Sequence, residues 1–363
     1  MKIGILTFHI AQNYGAVLQC YALQETLKSL GHEVEVIDYR PDYLVIPYKW
    51  FDIHHFISKN PITFCKKLFS ETSMLRCRYL RYTAFRNFCI HNLNLSAKVL
   101  NRRIPEKYDV YIMGSDQIWN PKITHGFDSV YFGYLGFSKG NKKYIAYAAS
   151  MEAKEIDQQS QNFYKSALNN FNAISVRENQ LGILLKPLTD KNVEVVIDPT
   201  LLSDSNVWTK IIKKPTINQK YVLVYQTRVH DRTLQIANNV AKQIGATVIE
   251  VASYIYKSKH VLQTVSPEEF LGLVKYASCI VTTSFHGTAF SVIFKRPFYC
   301  LRLTDGRDTR SESLLTSIGL IERMINPNIF PKFTEIDYNE SFCKKIINVR
   351  KLSMHYLKSS LNN

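Results

Sequence analysis

Apolar and polar positions along this chain fall into blocks that set out parallel strands joined by helices. Lys2–Phe8 is an apolar run rich in Ile and Leu, followed by a polar turn from His9 to Asn13 and a helical pattern from about Gly15 to Leu30, which Gly31 ends as a C-terminal cap. Val34–Asp38 is again β-branched, so the spacing predicts a β-loop-α-β unit, the opening of a doubly wound parallel sheet. Strand-length runs recur at Val110–Met113, Tyr144–Ala149, Ala173–Val176 and Val193–Ile197. Each closes on a polar or small cluster, beginning at Gly114, Ser150, Arg177 and Asp198. After Lys213-Lys214-Pro215, which reads as a linker, a second series starts, with strands expected at Tyr221–Tyr225, Thr247–Val251, Cys279–Thr283 and Phe298–Leu301. Helical patterns lie between them at about Arg232–Ile244, Pro267–Tyr276 and Gly287–Phe294, and Ser266 with Glu269 three residues on has the spacing of a capping box.

The expected fold class is therefore α/β, with two doubly wound parallel-sheet (Rossmann-like) domains at 1–214 and 215–337. Residues 338–363, which include a helical pattern over Asn339–Leu357, are expected to pack back on the first domain. Ligands of such sheets bind beyond the carboxyl ends of the strands, so the polar clusters are where chemistry is sought.

Composition narrows the class. With 46% hydrophobic and 12% aromatic residues in 363, the chain can bury a large core, which excludes disorder, collagen and a disulfide miniprotein. A formal charge of +16 favours an anionic partner: a phosphorylated metabolite, nucleic acid or an acidic membrane. Seven cysteines without a C-x-x-C pair suggest reduced thiols in a cytoplasmic protein, not a disulfide or zinc framework. No secretion signal or membrane-spanning run is expected, so any membrane contact is peripheral. The stretch Arg40–Lys107 stands apart, with thirteen Lys/Arg against four Asp/Glu, a net +9, and eleven interleaved aromatics. It reads either as a membrane- or polyanion-facing surface or as a helical insertion whose aromatics are core.

Four clusters carry candidate chemistry. Asn13-Tyr14-Gly15-Ala16 opens the first helix, where free N–H groups and the dipole favour an anion, although it is no G-x-G-x-x-G fingerprint. Gly114-Ser115-Asp116-Gln117-Ile118-Trp119-Asn120 follows a strand and suits a ligand rim, with Asp116 as base and Trp119 stacked on a sugar; the alternative is a cap and a core indole. Arg177, in Ser175-Val176-Arg177-Glu178, offers a fork for carboxylate or phosphate, or else a surface pair with Glu178. His286, in Ser284-Phe285-His286-Gly287-Thr288, sits where a strand turns into a helix.

Together with Asp198-Pro199-Thr200 these motifs, in this order, make the sequence resemble the polysaccharide pyruvyl transferase family from residue 1 to about Leu320. The resemblance implies a glycosyltransferase-B-like pair of domains with phosphoenolpyruvate held between them. It also implies transfer of the donor's enolpyruvyl carbons to two hydroxyls of one sugar, forming a pyruvate ketal in surface polysaccharide biosynthesis. His286 is then expected to be the general acid and Asp116 the group that takes the sugar's proton. Donor binding falls to Arg177, Ser284, Gly287, Thr288, Asn13, Arg228 and Arg310, and acceptor binding to Ser115, Gln117, Trp119 and Tyr14. The family pattern has an arginine two residues before the histidine; Ser284 stands there, and Arg228, Arg307 or Arg310 is expected to supply the cation. No metal or other cofactor is expected, phosphoenolpyruvate being a co-substrate, and no nucleic acid partner. The glycan acceptor is expected on a lipid carrier at the inner face of the cytoplasmic membrane. The competing readings are a nucleotide-sugar glycosyltransferase of the same architecture and a non-catalytic membrane- or polyanion-binding protein.

Overall fold

A computed structural model describes residues 1–51, 72–203, 205–256, 258, 261–304, 306 and 308–362. Residues 52–71 of the basic stretch, and Arg307, lie outside the described residues.

Six parallel strands form the first sheet: β1 Lys2–Leu6, β2 Glu33–Val36, β3 Val110–Met113, β4 Lys143–Ala149, β5 Ala173–Val176 and β6 Val193–Val195, in the order β2-β1-β3-β4-β5-β6. The second has β7 Tyr221–Gln226, β8 Thr247–Ala252, β9 Val261–Leu262, β10 Cys279–Thr282, β11 Phe298–Leu301 and β12 Met324–Ile325, again parallel, ordered β12-β11-β10-β7-β8-β9. This is the α/β architecture of two doubly wound sheets that the sequence implies. Central strands such as β3 and β7 are buried along their whole length, as continuous apolar runs covered on both faces require. The two edge strands the sequence does not reveal, β9 and β12, are two residues long and carry no periodicity.

The longer helices are α1 Tyr14–Ser29, α2 Thr72–Asn92, α3 Gln158–Leu168, α4 Asp231–Ile244, α5 Pro267–Tyr276, α6 Phe285–Ile293, α7 Thr309–Ile318 and α8 Glu340–Asn362. The Ser266–Glu269 capping box is formed at the start of α5. No described helix is long and apolar enough to cross a membrane.

Helices α1 and α5 meet where the two halves join, with the Tyr14 ring stacked on Phe270 at 4.3 Å. Arg81 of α2 closes this seam from the side. Only 1% exposed, it donates to the carbonyls of Gln12, Ala252, Ser253 and Gln263 and to the Tyr14 hydroxyl. At the other end, α8 lies along α7 and bonds back to the first sheet: Arg350 Nε donates to Leu201 O at 2.7 Å, the Ile197 amide to Ser353 Oγ at 3.0 Å and the Tyr356 hydroxyl to Ala146 O at 2.9 Å.

Candidate functional site

The order of each sheet reverses once near its middle, between β1 and β3 in the first and between β7 and β10 in the second. At such a point neighbouring loops leave in opposite directions and open a crevice. The loops that follow these four strands face one another and enclose a cavity of about 330 Å³. Asn13 reaches it from the loop after β1, Asp116 and Gln117 from the loop after β3, Thr227 and Arg228 from the loop after β7, and Ser284, Phe285 and His286 from the cap and first turn of α6 after β10. Lys122, Glu152, Arg310 and Tyr48 complete the wall. Asn13 is also the cap of α1, its Oδ1 accepting from the Gly15 and Ala16 amides, and Ser284 caps α6 by accepting from Gly287 N. Among the described residues no three His, Cys, Asp or Glu side chains converge as metal ligands would.

His286 is 5% exposed and its Nε2 is buried with no hydrogen-bond partner; Asp198 Oδ2 lies 3.6 Å from it. Gly15 makes this placement possible, because a Cβ there would lie 1.9 Å from His286 Nδ1. Gly287 lets the next turn sit against β10, a Cβ there falling 2.3 Å from Thr282 Oγ1. Gly15→Ala is therefore expected to push the imidazole out of place. The check is the His286 ring resonances, which should move while the unfolding free energy falls only by the ~1–3 kcal/mol typical of overpacking.

Behind the histidine a single guanidinium gathers three carboxylates. Arg177 donates to Asp198 Oδ2 at 2.6 Å and to Ser150 Oγ at 2.9 Å, with Glu178 at 3.5 Å and Asp116 at 3.8 Å. Burial by itself would raise the Asp198 carboxyl, but His286 and Arg177 outweigh it and hold the acid well below the usual range, so it is a carboxylate. Burial dominates at Glu178 and moves its carboxyl upward, despite the neighbouring Arg177. The His286 imidazole is thus backed by the Asp198 carboxylate, and Asp116 shares the cavity wall with it, 3.8 Å from Arg177.

Several sequence expectations are corrected here. Trp119 is fully buried, stacked on Phe132 at 5.3 Å, with its Nε1 donating to Tyr131 O at 3.0 Å. The chain turns at Asp116, φ 69°, a left-handed conformation that Asp tolerates better than most residues. Gln117 is thereby left on the cavity wall while Ile118 and Trp119 go into the core. Tyr14 is core between the two halves, its hydroxyl donating to Val265 O. Ser115 is wholly buried, with Oγ donating to Ala148 O at 3.1 Å. Gly287 and Thr288 lie inside α6, where Thr288 Oγ1 donates to Ser284 O; neither lines the cavity. Arg177 is placed behind the cavity and is no surface pair, since Glu178 is 1% exposed.

Asp198 is the residue beside His286 that sequence reasoning assigned no role, although its Asp-Pro-Thr motif was in view. As a helix cap it already has a structural reason to be there: its Oδ1 accepts from Thr200 N. Glu152, Lys122 and Tyr48 gave no signal of their own.

A family model described as "Polysaccharide pyruvyl transferase" matches residues 13–305. No curated protein matches the sequence. Solved structures with a similar course of the chain include the UDP-GlcNAc 2-epimerase of Neisseria meningitidis bound to UDP-GlcNAc, at 11% identity over 100% of both chains and a TM-score of 0.44. Another is the UDP-GlcNAc 2-epimerase of Methanocaldococcus jannaschii, at 11% identity over 97% of this chain and 92% of that one, with a TM-score of 0.41. A third is an alpha-glucosyltransferase in complex with UDP and a 13-mer DNA, at 10% identity over 98% and 95%, with a TM-score of 0.46.

Proposed function

Because the chain belongs to the polysaccharide pyruvyl transferase family, we propose that its cavity binds phosphoenolpyruvate and that the enzyme moves the enolpyruvyl carbons onto two hydroxyls of a glycan sugar. The observation that carries this reading is the cavity's chemistry: a histidine backed by the Asp198 carboxylate shares its wall with Lys122, Arg228, Arg310 and Asp116. The cations suit a small molecule bearing both phosphate and carboxylate.

His286 gives a proton to the methylene carbon, making C2 electrophilic, and the first sugar hydroxyl adds there as Asp116 takes its proton. Phosphate then leaves C2 with its bridging oxygen, and the second hydroxyl adds to close the ketal and releases its proton. The sum is one phosphoenolpyruvate and one diol giving one ketal and inorganic phosphate. Asp198, kept anionic, stabilises the imidazolium before it gives up its proton.

The acceptor side of this reading rests on Gln117 and on a groove of about 660 Å³ that adjoins the cavity, sharing Asn120, Lys122 and Glu152 with it. A lipid-linked acceptor and peripheral contact with an anionic membrane are supported by the net +9 of residues 40–107 and by the exposure of Trp50, Arg76, Tyr79 and Arg86.

Phosphoenolpyruvate is expected to raise the melting temperature. A ligand at a hundred times its Kd that binds only the native state adds about 2.7 kcal/mol. A UDP-sugar at the same concentration is expected to add nothing. Stabilisation by the UDP-sugar and none by phosphoenolpyruvate would overturn the proposal in favour of a glycosyltransferase.

A further inference from the structure

Arg310 enters the cavity from the loop side of the second sheet, yet its guanidinium is held by a carboxylate of the first. Its NH2 donates to Glu152, in the loop after β4, and the two side chains are 16% and 9% exposed. The pair thus spans the space between the two sheets at the cavity wall. Arg310 also lies over the Phe285 ring, 5.9 Å from its centroid, and its Nε is buried without a partner. A donor anion in this cavity faces Arg310 with one N–H unsatisfied and a carboxylate in competition for another.

Glu152 faces two ways. It lines the cavity with His286 and also the adjoining groove, whose charged lining is Lys122 and Lys154 against Glu152, Glu155 and Asp157. The groove therefore disfavours a dianion, whereas in the cavity wall Arg228 is held by Asp308 at 2.7 Å and Arg310 by Glu152, so a dianion entering there competes with a carboxylate for either guanidinium.

We propose that Glu152 is a positioning residue that holds Arg310 across the cleft until a dianionic donor displaces it. This rests on the donor reading given above. The exchange requires no new charge in the cavity wall. Arg310 passes from carboxylate to phosphate, and Glu152 turns toward Lys154 in the groove wall, away from the incoming anion. The carboxylate sets donor affinity by competition and ties donor arrival to release of the link between the sheets.

The experiment is a double-mutant cycle read by calorimetric titration of the full chain with phosphoenolpyruvate and, separately, with inorganic phosphate. Glu152→Gln keeps the shape and removes the charge, so the Kd for phosphoenolpyruvate is expected to fall about three- to tenfold. Arg310→Ala is expected to weaken binding at least tenfold. In the double variant the gain from Glu152→Gln should vanish, because the cation it liberates is gone. A merely structural Glu152 would behave otherwise, with Glu152→Gln weakening binding as Arg310→Ala does; that result, or an unchanged Kd, overturns the proposal. If phosphoenolpyruvate binds no variant but phosphate binds Glu152→Gln more tightly than the parent, the competition stands and the donor reading falls. If neither anion binds any variant, both fall.

Discussion

His286→Ala is expected to reduce transfer by about 10²- to 10⁴-fold, the usual worth of a positioned general acid, while the protein stays folded. The imidazole is packed against Gly15, so its removal leaves a small space without disrupting backbone pairing. A second effect identifies the role of Asp198. Its carboxyl is held down by His286 and Arg177 against the effect of burial, and a depressed acid stabilises the fold above its unfolded pKa, near 4, and loses that contribution as pH falls through the folded value. Taking away the histidine raises the folded value, so acid unfolding of the variant should begin at a higher pH than in the parent. The two measurements are turnover of phosphoenolpyruvate and an acid titration followed by circular dichroism. Turnover within a few-fold of the parent would reject the general-acid role, and an unmoved acid limb would reject the coupling to Asp198.

The largest expected loss of stability is at Arg81. Replacing it with Met leaves the carbonyls of Gln12, Ala252, Ser253 and Gln263 without their donor in a buried seam. Each orphaned acceptor costs about 1–3 kcal/mol before any relaxation, so a drop in melting temperature on the order of 10 °C is expected. Arg76→Met and Arg86→Met, on exposed positions of the same helix, serve as controls and should change the stability by no more than about 0.5 kcal/mol. Equal melting temperatures for all three variants would show that the Arg81 contacts contribute nothing.

Arg81 also shows where reading the sequence stops. Strands β1, β3, β5, β7, β10 and β11 were legible because parallel strands buried on both faces are unbroken apolar runs. Helix ends at Gly31 and Ser266 were legible from capping chemistry. The cavity loops could be placed because parallel sheets bind ligands at one end. What periodicity does not report is the direction a side chain takes after a turn. Trp119, Tyr14 and Ser115 stand beside true cavity residues in sequence, yet point into the core because the chain reverses at Asp116 and α1 packs on α5. The same limit applies to charge. A basic residue in a basic stretch reads as surface, and only the tertiary contacts show that Arg81 bonds carbonyls from both halves while Arg76 faces water. Arg177 and Glu178, adjacent in sequence and oppositely charged, look like a solvated pair; burial beside Asp198 makes them the wall that supports His286.

The return of α8 has a mechanical consequence. The chain passes from the first half to the second at 213–220 and comes back at 326–339, so the halves are joined by two covalent tethers. The first is pinned, with Lys213 N donating to Glu268 O at 3.1 Å, and the second ends in a helix fastened to Ile197 and Leu201. Two anchors define one axis. Rotation about the line through them strains neither tether, whereas twisting or sliding stretches one or both, so the tethers resist every relative displacement of the halves but that one. Cutting the chain within 326–339 would leave both sheets whole and release the suppressed modes.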